Sequence, residues 1–485
     1  MFERFNNLPQ EWKYLILFIL GSCIGAWINW FVDTFCWRPK YRSPWRLLPE
    51  EYRSQLSKRC WDYCPILGWF FLSRFAKDLF SSKAEGRSKR RKKFPPAIMK
   101  EGEKTGDLPG CESRWFWIRP LLIECACGFF PIFLYHWEVV SGSMKLNVLH
   151  FSLIQQTVLF PDLPVGSLTL LFVIHLFFFF LMLAASLIDF DDYIIPDALT
   201  LPGTVIGLIS AAVCPFMIPI PFCGFYRTGP EMPLVKTGSF SEYWNSLGLG
   251  IPLFLLLLMI AIWSFWCFAI LDRRWYGRFG QKKAFFLFLR TICRSRLSRI
   301  ISVLYPIGVF LIVLLYQYDP HWLLDGSGFG TAGSESPFYP ISCRDGLFNA
   351  LIGMAVGMIL IWTVRIVGRW SLGREAMGFG DVMLMGMLGI YIGWQGTIIV
   401  FFLAPFAGVL FGILRIFAGM EKEIPYGPFL CLAAGIWMIG RNAIWQYLEP
   451  ALGDPMVAAI MFVICAVLLA VMLFIWRMIK NVFIG

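Results

Sequence analysis

The stretch GSLTLLFVIHLFFFFLMLAASLIDFDD (166–192) runs uncharged from 166 to 188 and then ends on Asp189, Asp191 and Asp192. An apolar run of about 20 residues is what crosses roughly 30 Å of hydrocarbon as a helix. Asp189 is the deepest of the three acids, directly after Leu187 and Ile188. A carboxylate at that depth is costly to desolvate, so it marks a functional hypothesis in search of a partner.

Working outward, the whole chain is of the same kind. Its 485 residues are 58% hydrophobic and 15% charged, with mean hydropathy +0.63, which describes a polytopic membrane protein rather than a water-soluble domain. Spans are expected near 14–32, 116–135, 166–188, 199–219, 247–271, 300–317, 347–368, 382–394, 395–418, 428–441 and 457–477, about eleven in all, with 382–394 and 428–441 short. The first span is not followed by a small-residue cleavage site and reads as an anchor.

Basic residues mark cytoplasmic loops, and here they alternate. Loop 33–115 carries Arg87, Lys89, Arg90, Arg91, Lys92 and Lys93; loop 272–299 is rich in Arg and Lys; Arg369 and Arg374 follow 368. Loops 137–165, 220–246 and 318–346 hold few. With the N-terminus outside, the basic loops all fall in the cytoplasm, and so do the ends of the helices bearing Asp189 and Asp381. The net charge of +11 then reflects orientation and attraction to anionic lipid in an inner (cytoplasmic) membrane. Nucleic acid is not an expected partner, because the run at 87–93 lacks interleaved aromatics.

A second acid answers the first. In GREAMGFGDVMLMGMLG (373–389), Gly378 and Gly380 precede Asp381, and an apolar helix with Gly386, Gly389 and Gly393 follows. Glycines there allow close backbone approach and tight helix packing. Two aspartates brought together can share one proton, giving a base that activates water and an acid that protonates a carbonyl. Pro196 and Asp197 look like the start of the next helix, with Asp197 as an N-cap; Asp191 and Asp192 read as solvated interface charges.

The segment Asp189 to Pro202 and the segment 373–396 together resemble the type IV prepilin peptidases, membrane aspartic proteases with a GxGD motif. IPYGPFL (424–430) and GAWIN (25–29) add weaker likeness. The resemblance implies catalytic Asp189 and Asp381, supported by Gly378, Gly380, Pro196 and Asp197. Together with the span count, it leads to the expectation of an all-α polytopic membrane protein of about eleven transmembrane helices with a cytoplasm-facing aspartate dyad. The implied reaction is removal of the basic leader from type IV prepilin or pseudopilin precursors at the cytoplasmic face. The peptidase chemistry needs no cofactor.

Departures from the family are equally informative. Similar bacterial members carry two Cys-x-x-Cys pairs in the loop after the first span, able to hold structural zinc. This chain offers Cys60, Cys64 and a solitary Cys111, with Cys36 near the first span and Cys125 and Cys127 inside the second; zinc is not expected. CPILGWFFLSR (64–74) and WIRPLLIE (117–124) still look like flanks of that loop. In the family the loop is associated with N-methylation of the trimmed pilin. Its erosion counts against that activity here, and S-adenosylmethionine is a cofactor only if methylation is retained. The polar insert 83–110 receives no chemistry.

The chain divides into 1–135 with the eroded loop, 136–221 with Asp189, an insert 222–346 with two added spans, and 347–485 with Asp381. Two added spans preserve the side on which Asp381 lies, whereas one or three would invert it. Cys223 and Cys343 fall in loops assigned outside, where they either pair or stand as unrelated thiols. His175 lies mid-span, and His136, His150 and His321 outside, without metal spacing. Glu124 is taken as the remaining buried acid, pairing with Arg119 or else lining a polar cavity. The rival readings are a proton- or ion-coupled transporter, which predicts internal repeats that are not seen, and a catalytically silent pilus-assembly protein.

Overall fold

A computed structural model describes residues 5–36 apart from 6, then 63–69, 117–141, 165–214, 252–271, 296–318, 343–372, 377–417 and 425–452. It also describes pieces at 40–45, 149–150, 157–158, 217, 224–226, 235–237 and 457–467. Cys60, Cys111, Cys223, the insert 83–110 and most of the expected spans' connecting loops lie outside these residues.

The described chain is nearly all helical, as a hydrocarbon solvent demands: backbone N–H and C=O groups must pair within the segment. The helices are α1 (Gln10–Phe35), α2 (Ile118–Tyr135), α3 (Val165–Asp192), α4 (Asp197–Val213), α5 (Pro252–Ile270), α6 (Arg296–Tyr318), α7 (Cys343–Leu372), α8 (Phe379–Phe417) and α9 (Gly427–Leu452). Two small antiparallel hairpins pair Leu149–His150 with Thr157–Val158 and Gly224–Tyr226 with Val235–Thr237. Six helices among the described residues are long and apolar enough to cross a membrane, and three shorter apolar ones accompany them. The protein is a multi-pass membrane protein; by that criterion the described residues give fewer spans than about eleven.

The packing divides the chain into two units: residues 1–199 with 422–428, and 200–421 with 429–485. In the first, α1 and α2 meet through small residues. A methyl group on Gly21 would run into the Cys127 carbonyl, and one on Gly25 would lie 2.8 Å from Glu124 Cα. Beyond Tyr135 the helix widens into a π-turn, His136–Val140.

In the second unit, α7 and α8 run antiparallel along a glycine seam. A methyl at Gly389 would strike the Gly353 carbonyl, and one at Gly357 the Met385 carbonyl, while Gly386 faces Met358. Of the small residues marked in the sequence, Gly389 lets backbones touch and Gly386 makes room for the Met358 side chain. Gly393 has a different use. At φ 72° and ψ 172° it occupies backbone space open essentially to glycine alone, and it breaks the stretch expected as spans 382–394 and 395–418 into two helical parts. Helices α5 and α6 join through Trp263, whose indole N–H donates to the Tyr305 carbonyl at 3.1 Å. Phe265 of α5 meets Trp362 of α7 at 6.2 Å between ring centres. Cys343 is the first residue of α7 and is buried.

The seam yields a test. Gly389→Ala should lower the stability of the detergent-solubilised protein by about 1–3 kcal/mol, because backbone opposes the new methyl. Gly412→Ala, where nothing lies within 4 Å, should leave the thermal melt within about 0.5 kcal/mol.

Candidate active site

Asp189 lies in the last turn of α3 and is only 4% exposed. Its Oδ2 accepts the backbone N–H of Gly427, the first residue of α9, at 3.1 Å. A Cβ at 427 would stand 2.5 Å from that oxygen, so the IPYGPFL segment meets the aspartate through the one residue small enough to do so. The backbone carbonyl of Asp189 accepts the N–H of Tyr193 at 2.9 Å. Tyr193 has φ 59°, a left-handed conformation that closes the helix at a cost other residues than glycine feel.

The neighbouring acids are not loose interface charges. Asp191 pairs with Arg119 at 2.6 Å and with Lys40 at 2.8 Å. Asp192 is hydrogen-bonded to the Cys36 thiol, and burial pushes that thiol up to about 12; it is a neutral donor, not a thiolate ligand. The expectation that Asp191 and Asp192 are merely solvated is corrected: three carboxylates at a helix C-terminus face the negative end of the helix dipole, and each is met by a donor.

Arg119 is thereby committed to Asp191, which corrects the first of the two expectations for Glu124, a pairing with Arg119. Glu124 is almost fully buried and accepts Asn29 Nδ2 at 3.2 Å and the Ile66 N–H at 2.7 Å. The Asn29 amide also donates to the Pro120 carbonyl at 3.0 Å. Three fragments noted for family likeness, at 25–29, 64–69 and 117–124, thus converge on one carboxylate. Ile66 has φ 61°, unusual for a β-branched residue, and holds its N–H toward Glu124.

Glu124 is also not the last buried acid. Glu138, assigned to an external loop, sits in the π-turn at 4% exposure, and its Oε1 lies 2.8 Å from Nδ1 of the fully buried His175. Loop assignment concealed it; the apolar residues continuing past Tyr135 were the signal. Asp33 is a further buried acid, and its Oδ2 accepts the Ser43 N–H at 2.8 Å.

Asp381 belongs to the second unit. It is the third residue of α8 and partly buried, and its Oδ2 accepts the Gly378 N–H at 3.2 Å, the reciprocal half of a helix-capping arrangement. A methyl at Gly378 would meet Asp381 Oδ2 at an ordinary 3.5 Å. Phe379 packs edge-on against Trp362 at 6.1 Å, and the Arg365 guanidinium stands 5.9 Å over its ring. Pro196 precedes α4, which begins at Asp197; the Leu199 N–H donates to the Pro196 carbonyl at 3.0 Å.

Residues 339–413 match the model of the type IV leader peptidase family. A prepilin leader peptidase/N-methyltransferase of Aeromonas salmonicida is 34% identical over 104 residues, 21% of this chain and 36% of the relative. The protein of that name in Pseudomonas aeruginosa is 33% identical over 107 residues, 21% and 37%. One in Burkholderia pseudomallei is 34% identical over 89 residues, 18% and 28%. The chain thus aligns with roughly a third of the length of these curated relatives. No solved structure matches. The likeness to the type IV leader peptidase family thus lies in residues 339–413, which hold Asp381.

Proposed function

We propose that the protein is a membrane aspartic endopeptidase that removes the basic leader from type IV prepilin or pseudopilin precursors on the cytoplasmic side of the membrane. The observation that carries this reading is the family match across 339–413, which includes the GFGD segment. The buried, hydrogen-bonded Asp189 supports it as the second carboxylate.

On this reading Asp189 and Asp381 share one proton. The ionised member takes a proton from water as its oxygen attacks the scissile carbonyl carbon, and the protonated member gives its proton to the carbonyl oxygen. Collapse of the tetrahedral intermediate breaks the C–N bond; the leader leaves with a new carboxyl group and the amine takes a proton. Like charges at close range keep the two from ionising together, so the pair titrates as a unit. Gly427 holds one oxygen of Asp189 and so fixes the orientation of its carboxylate. Gly378 does the same for Asp381.

Asn at Asp189 or at Asp381 should lower cleavage of a prepilin by roughly 10²–10⁴-fold without loss of membrane insertion. An immunoblot separating precursor from mature pilin reads the outcome, and full cleavage by both single variants would refute the assignment. Gly427→Ala should also cut slowly, because the methyl displaces the Asp189 carboxylate. Cleavage should persist in a metal chelator.

The topology is equally open to measurement. The number of spans between the two aspartates must be even, and the expected ones, 199–219, 247–271, 300–317 and 347–368, number four. Reporter fusions in 272–299 should read cytoplasmic, and those near 230 and 330 external. An external result for 272–299 would put the aspartates on opposite faces, which no dyad survives.

A further inference from the structure

The last turn of α3 carries three carboxylates, and its outer face is gripped by two cations from other elements. Residues two apart on a helix point about 200° away from each other, so Asp189 and Asp191 look in opposite directions. Asp189 meets Gly427 on one side at 3.1 Å. Asp191 meets Arg119, at the start of α2, and Lys40, in the chain leaving α1, on the other at 2.6 and 2.8 Å.

The grip is built rather than incidental. Lys40 is itself placed by its backbone, whose N–H donates to the Asp33 carbonyl at 3.2 Å, while the Asp33 carboxylate takes the Ser43 N–H at 2.8 Å. The Asp191 side chain is 11% exposed and that of Lys40 16%, so water screens the pair little. Against the grip stand the left-handed Tyr193 at φ 59° and the unfavourable meeting of acids with a helix C-terminus. Both would unwind the final turn if it were released, and Asp189 is in that turn.

We infer that Arg119 and Lys40 are positioning residues for Asp189: through Asp191 they clamp the end of α3 from the side opposite Gly427 and so hold the reacting carboxylate in register. The inference rests on the proposed role of Asp189. It assigns to Asp191 a service to its neighbour and no contact with substrate.

The test uses the full chain in lipid nanodiscs and a synthetic peptide with a Lys/Arg leader, Gly and an apolar helix. Arg119→Gln should lower kcat by roughly ten- to a hundredfold, the range a misplacement of about 1 Å produces, with KM within about twofold. The swap Arg119→Asp with Asp191→Arg should recover a large part of that loss, and Arg119→Lys should recover some. A wild-type kcat for Arg119→Gln would overturn the inference. So would a fall in kcat matched by a fall in the melting temperature and unrelieved by the swap, since that is the mark of a merely structural contact. If Arg119→Gln does not fold, Lys40→Met carries the same two outcomes. Cleavage by Asp189→Asn would instead dispose of the underlying reading, whereas an inactive Asp189→Asn beside a fully active Arg119→Gln would dispose of the clamp alone.

Discussion

A carboxylate in a membrane bundle persists only when the protein supplies what water no longer can. Four acids of the first unit share that constraint, and each is met by a group from another part of the chain. Asp189 uses Gly427, Asp191 uses Arg119 and Lys40, Glu124 uses Asn29 and Ile66, and Glu138 uses His175. These pairings bind helices whose apolar faces alone carry no preference between one neighbour and a lipid tail. Register in such a bundle is therefore set largely by its few polar groups.

The spans were legible because apolar length is a one-dimensional signal. Runs at 14–32, 166–188 and 347–368 correspond directly to α1, α3 and α7. Partner choice was not legible. Arg119 stands between two candidate acids, Glu124 at one turn's distance in sequence and Asp191 far along the chain, and only the fold brings the distant one to 2.6 Å. Glu138 was hidden for a related reason: it follows the helix's apparent end, and a π-turn carries the helix five residues further.

The candidate site shows the same division. Both proposed aspartates are singled out by their flanking sequence, and the GFGD segment lies within the matched 339–413. The importance of Gly427 could be sensed only as a weak likeness in 424–430. Its reason is steric and three-dimensional, since any side chain there would occupy the space of the Asp189 carboxylate. Gly393 illustrates the converse. Composition marked it as one more small packing residue, while its backbone at φ 72° makes it the point at which α8 changes course.

The glycine seam between α7 and α8 bears on how the protein is made. Helices that have entered a membrane separately must find one another by lateral diffusion, guided by close packing where small residues permit it. Here the two are consecutive, separated by residues 373–378, and touch backbone to backbone at Gly353 and Gly389. Such a hairpin can close as soon as its second arm leaves the insertion machinery, before α9 has been synthesised. Asp381, at the start of that arm, then enters the bilayer boundary already beside a partner helix, so its polarity need not be borne by an isolated segment during biogenesis.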